Sequence, residues 1–236
     1  MRGIACQCST EPTSQVACGN IACVINPNFV FLGSALSLIG ASFYARDTIR
    51  GITQPNRVTW LMWTVAPMLA FTAELRQGVG LQSVMTFTVG FAPLIVFISS
   101  FFNTRSVWRL EAFDFACGVA SAMGIIVWII SSNNVVALVA FMFADLIAGL
   151  PTISKSWRDP ETESVGVYLA GFFNSLLTLA TVTVWTTAEV AFPIQIALLT
   201  GLQVILIGGR LGPRLRHESG PSPLAPTERV ISPRHE

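Results

Sequence analysis

Histidine and lysine are almost missing from this sequence, and charge in general is scarce. The two histidines, His217 and His235, both stand in the hydrophilic C-terminal tail. Haem and most protein metal sites depend on imidazole, so no such site is expected among the apolar segments. The one lysine, Lys155, falls in a predicted loop between apolar runs. A retinal protein needs a buried lysine for its Schiff base, which excludes that class despite a suggestive helix number. Charged residues make up 11% of the chain, against about 25% in a soluble domain. The net charge is +1, and no basic stripe exists outside the loops, so nucleic acid is not an expected partner. Phosphate-binding, nucleophile-elbow and dinucleotide motifs are absent, which leaves ATP-driven pumping by this chain unsupported. The N-terminus lacks the pattern of a secretory signal. No cofactor is expected.

What the chain has in abundance is long apolar sequence, with 52% hydrophobic residues. In hydrocarbon every backbone N–H and C=O must be paired internally, so only helices and closed barrels can span a bilayer. The runs are continuous over nearly twenty residues and lack the alternation of barrel strands. They predict seven helices, at 29–44, 58–73, 81–102, 113–131, 135–151, 165–185 and 190–208. The expected architecture is an all-α membrane protein with seven transmembrane helices.

Residues 1–28 are polar and carry Cys6, Cys8, Cys18 and Cys23; they read as an extramembrane arm. Four cysteines allow two disulfides in any of three pairings, or free thiols. Residues 210–236 are rich in Pro, Ser and Arg and predict a disordered tail. With seven spans, twelve of the fourteen basic residues fall on the side of the C-terminus, and only Arg2 and Arg76 on the other. The positive-inside rule then predicts an outer N-terminus and a cytoplasmic C-terminus, in a plasma or inner membrane.

An internal repeat is legible. Thr48-Ile49 aligns with Thr152-Ile153 and, with one inserted residue, Pro55 aligns with Pro160, Thr59 with Ser164 and Trp63 with Tyr168. Each copy reads as a helix end, a short basic loop with proline, and a hydroxyl residue opening the next helix; Thr59 and Ser164 are the expected N-caps. The copies begin four spans apart, so they run parallel. This divides the chain into a three-helix unit at 29–102, a linker helix at 103–133 and a second three-helix unit at 134–209. Parallel repeats of this kind are a transporter plan with the solute site between them.

On these features the sequence resembles the PQ-loop superfamily, which includes the SWEET sugar transporters. The resemblance covers roughly residues 29–209 and rests on the three-one-three plan, the outer N-terminus and the basic loops at 46–58 and 151–164. Pro151-Thr152 stands where that family has its Pro-Gln pair, and Asp47-Thr48 holds the place in the first copy. The resemblance implies a carrier of a sugar, amino acid or similar small polar solute working by alternating access, passive or proton-coupled.

Candidate solute-binding residues are Trp63, Asp145, Tyr168 and Asn174. Asp145 is the acid set well inside an apolar run, and intramembrane acids mark pathways or pair structurally. Trp63 lies a turn inside its helix and offers a stacking face, whereas Trp60 reads as an interfacial anchor. Asn174 lines a polar cavity or bonds a neighbouring helix. Pro67, Pro93 and Pro151 are candidate hinges, against the general frequency of proline in membrane helices. Arg46 and Asp47 are a candidate gate pair, against solvated loop charge. Glu74, Asp114 and Glu189 sit at helix ends and are expected to face water or headgroups. The expected partners are a small solute and the lipid bilayer, with a homo-oligomer left open. The rival reading is a membrane enzyme, an acid-catalysed cyclase or isomerase of a lipid-like substrate, using Asp145 or the cluster Asp159, Glu161 and Glu163. A non-transporting receptor or assembly subunit is a third.

Overall fold

The structure is a computed structural model that describes residues 28–76, 82–103, 108–182, 185 and 187–218. The arm with Cys6, Cys8, Cys18 and Cys23 and the tail beyond residue 218 lie outside the described residues. Eight α-helices follow in order: α1 (Phe29–Ile49), α2 (Arg57–Arg76), α3 (Gln82–Ser99), α4 (Ala112–Ile130), α5 (Asn134–Arg158), α6 (Val165–Thr181), α7 (Thr187–Gly209) and α8 (Leu211–Glu218). One 3-10 turn, Pro160–Thr162, joins α5 to α6, and no strand occurs among the described residues.

Four of these helices are long and apolar enough to cross a membrane: α1, α4, α5 and α7. The chain is therefore an integral membrane protein of helical class. The distribution of side chains agrees with lipid as the outer solvent. On α1 the buried residues are mostly small or polar, including Gly33, Ser34, Ser37, Gly40 and Ala41. Its exposed face carries Phe31, Leu32, Ile39 and Phe43. Small residues let helices approach closely where lipid removes the hydrophobic drive for association. Gly40 makes such an approach, since a methyl group there would stand 2.7 Å from the Cβ of Ala170 on α6.

The packing runs α1–α3–α2 on one side and α5–α7–α6 on the other, with α1 against α6 and α2 against α5 between them. Helix α4 packs on α5 and, less extensively, on α2. Ser121 of α4 donates to the Ala144 carbonyl at 2.7 Å, and Gly124 rests against Ala144.

Helix ends have identifiable causes. Gly51, at φ 84°, follows the end of α1, and the N–H groups of Gly51 and Ile52 return to the carbonyls of Thr48 and Asp47. This is a Schellman motif, which needs the left-handed conformation that glycine adopts without strain. Helix α2 is capped by Asn56 rather than Thr59: Asn56 Oδ1 accepts the N–H groups of Val58 and Thr59. Asn56 is itself buried, and its amide donates to Asp114 Oδ1 at 3.0 Å. Asp114, expected to face water, is 4% exposed, because its second oxygen accepts the Glu111 N–H and caps α4. Ser164 does occupy the N-cap position of α6 but makes no side-chain capping bond.

Two further expectations are corrected. The tail does not lose structure at residue 210, since α8 continues to Glu218 and packs on α5 and α7. Arg216 anchors it by donating to the Arg158 carbonyl at 2.6 Å. Helix α5 also runs to Arg158 instead of ending near Pro151, so Lys155 belongs to its last turns rather than to a loop.

Candidate functional site

A cavity of about 110 Å³ lies between the helices. Its lining comes from α1, α2, α3, α5, α6 and α7, and no lining residue belongs to α4. All four candidate solute-binding residues, Trp63, Asp145, Tyr168 and Asn174, line it, as does the candidate hinge Pro67. Residues separated by up to 111 positions (174 − 63) are thus brought to one wall system. Trp60, Pro93 and Thr88 share the lining. Trp60 is 2% exposed, so it is a core residue and not an interfacial anchor.

Asp145 reaches the cavity from α5 and is held by α7. Gln195 Nε2 donates to Asp145 Oδ2 at 3.0 Å and to the Met142 carbonyl at 2.9 Å. The Trp63 indole N–H donates to the Asp145 carbonyl at 3.2 Å, which ties α2 to α5 and orients the ring beside the acid. Asn174 is 5% exposed, and its Oδ1 has no hydrogen-bond partner. That oxygen sits against Gly33 on α1, where a methyl group would collide with it.

One end of the cavity is closed by aromatic rings backed by an ion pair. Trp60 packs between Tyr44, Trp63 and Tyr168, with centroid separations of 5.0, 5.6 and 6.4 Å. Both tyrosine hydroxyls donate to Glu163 Oε2, at 2.8 Å from Tyr44 and 2.9 Å from Tyr168. Lys155 Nζ meets Glu163 Oε1 at 2.7 Å, and neither side chain of the pair is exposed. The ammonium also donates to the carbonyls of Gln54 and Thr162. Three donors therefore meet three acceptors, and each carboxylate oxygen has a partner. A buried charge is tolerated only when it is paired and hydrogen-bonded in this way. The backbone adds one strut, the Gln54 N–H donating to the Thr162 carbonyl at 2.9 Å.

This cluster was not foreseen. Lys155 read as a loop residue and Glu163 as one acid of a cytoplasmic group, yet the two form the most enclosed ion pair of the described residues. The available signal was the lone lysine eight positions before an acid, with the two tyrosines of the chain on the flanking helices. Arg46 and Asp47, candidates for a gate pair or for solvated loop charge, share no ion pair among the described residues, and Arg46 is exposed. Neighbours on a helix point about 100° apart, which keeps such side chains from facing each other. Asp47 instead uses its carbonyl in the α1 terminus. Pro151 is buried within α5 and does not line the cavity. The cluster Asp159, Glu161 and Glu163 of the enzyme reading does not converge, since Asp159 and Glu161 are exposed while Glu163 is spent on Lys155. The side chains of Glu74 and Glu189 lie outside the described residues.

No protein-family model, curated protein or solved structure matches this chain.

Proposed function

We propose that the protein is a carrier of a small polar solute that works by alternating access, with two three-helix units moving against each other around a shared site. The observation that supports this most directly is the cavity: all six helices of the two expected units line it, and the expected linker α4 does not. The packing order also supports the repeat. In each unit the third helix lies between the first and second, and the units meet through α1 with α6 and α2 with α5. That exchange is what an axis along the membrane normal relating two parallel repeats would produce. On this reading all of α1 to α7 cross the bilayer, including the shorter apolar α3 and α6, in the PQ-loop-like three-one-three plan. The N-terminus then lies outside and the basic loops in the cytoplasm of a cell bounded by that membrane. The Lys155–Glu163 cluster would be the inner gate in its closed state, because it joins the two basic loops and their flanking helices.

The test is uptake and counterflow of labelled sugars, amino acids and small amines in proteoliposomes, for the intact protein and for Asp145→Asn and Trp63→Ala. Saturable flux that falls at least tenfold in both variants is the expected result. Absence of flux for every solute, with folded protein in the vesicles, would defeat the carrier reading.

A further inference from the structure

The chemistry of the cavity wall is one-sided. Among all its lining residues the one carboxyl is that of Asp145, and none is Lys, Arg or His. Two threonine hydroxyls in the wall point the same way. Thr88 Oγ1 gives its proton to the Val84 carbonyl at 2.7 Å, and Thr200 Oγ1 gives its own to the Ile196 carbonyl at 2.6 Å. With their protons committed along their own helices, these oxygens offer only lone pairs to an occupant. Asn174 Oδ1 adds an acceptor without a partner. The donors at hand are neutral, the N–H groups of Trp60 and Asn174 and the hydroxyl of Ser37, and none could balance an anion. Trp60, Trp63 and Tyr168 supply the remaining polarisable surface, and electron-rich rings attract cations in a desolvated site.

We propose that this cavity binds a small organic cation, a compact ammonium carrying an apolar body, with Asp145 as its counter-ion and the Trp60–Trp63–Tyr168 rings as its walls. The cavity of about 110 Å³ has room for such a body. Sugars would find few donors for their oxygens, and carboxylates or phosphates would meet Asp145 as a like charge. The proposal rests on the carrier reading only for the transport of this cation, not for its binding.

The test uses three probes of one shape and different charge: benzylammonium, benzyl alcohol and benzoate. Each is titrated into purified protein at neutral pH and followed by tryptophan fluorescence, which reports directly because Trp60 and Trp63 line the cavity. Benzylammonium is expected to bind at least tenfold more tightly than benzyl alcohol, with benzoate weakest. Asp145→Asn is expected to erase the preference for the ammonium, and Asp145→Glu to keep the order. Equal or tighter binding of the alcohol or benzoate, no binding of benzylammonium, or an order unchanged in Asp145→Asn would each overturn the proposal. Should Asp145→Asn fail to fold, the order in the native protein and in Asp145→Glu still decides. Proteoliposome flux separates the two readings. Saturable sugar flux without an ammonium preference keeps the carrier and rejects the cation; the expected binding order without benzylammonium flux does the reverse.

Discussion

At the scale of single residues the polar groups of greatest consequence are those that are fully enclosed. Lys155 and Glu163 have no exposed side-chain surface and share their partners with Tyr44, Tyr168, Gln54 and Thr162. Removing one member strands the other charge, which in comparable sites costs about 3–5 kcal/mol. Lys155→Met is therefore expected to lower the thermal unfolding midpoint in detergent sharply. Replacing both residues by apolar ones (Lys155→Met with Glu163→Leu) should recover much of that loss, because no unpaired charge then remains. A melting series of the two single variants and the double variant checks this, and additive losses would refute the pairing. Gly33 poses a smaller question. A methyl there meets the Asn174 amide, so Gly33→Ala is expected to cost about 1–3 kcal/mol by overpacking and to weaken whatever binds the cavity. A melting curve read beside a fluorescence titration separates the two effects.

At the scale of elements, the ends of helices decide how the basic loops are held. Asn56 joins the start of α2 to the start of α4 through Asp114, and Gly51 turns the chain out of α1. Asn56→Ala removes a cap, worth about 0.5–2 kcal/mol, and leaves Asp114 without its amide donor. Its melting midpoint should fall below that of Thr59→Ala, whose hydroxyl has no hydrogen-bond partner and caps nothing. The opposite ranking would restore Thr59 as the cap. The pattern of apolar runs located α1 to α7 to within a few residues at most ends, because a long continuous apolar run is itself the signal of one helix. It missed the last two turns of α5 and the whole of α8. Those segments are amphipathic and charged, and their helicity comes from packing on neighbours, as with Arg216 on the Arg158 carbonyl.

At the scale of the molecule, the two basic loops meet through Gln54 and Thr162. If the units rock apart to open the cavity toward that side, this contact must separate. A disulfide between Gln54→Cys and Thr162→Cys, in a background lacking the native cysteines, is expected to stop flux reversibly without lowering probe binding. Transport that persists undiminished across the oxidised bridge would mean that the loops do not gate the path.

What the sequence alone determined was the class of the protein. Continuous apolar runs with few charges read as membrane helices, whereas the exclusion of a buried lysine rested on placing Lys155 in a loop, which the structure overturns. The likeness of 41–63 to 145–168 also set Trp63 opposite Tyr168, and both line the cavity. What only the tertiary structure decided was pairing. Hydropathy treats each charged residue alone, so it assigns Lys155 to a loop and Asp114 to the surface. Burial depends instead on a partner far along the chain: Asn56 for Asp114, and for Lys155 the carbonyl of Gln54, 101 positions away. A polar group can be enclosed only where such a partner meets it, and that meeting is a property of the packed helices rather than of any one segment.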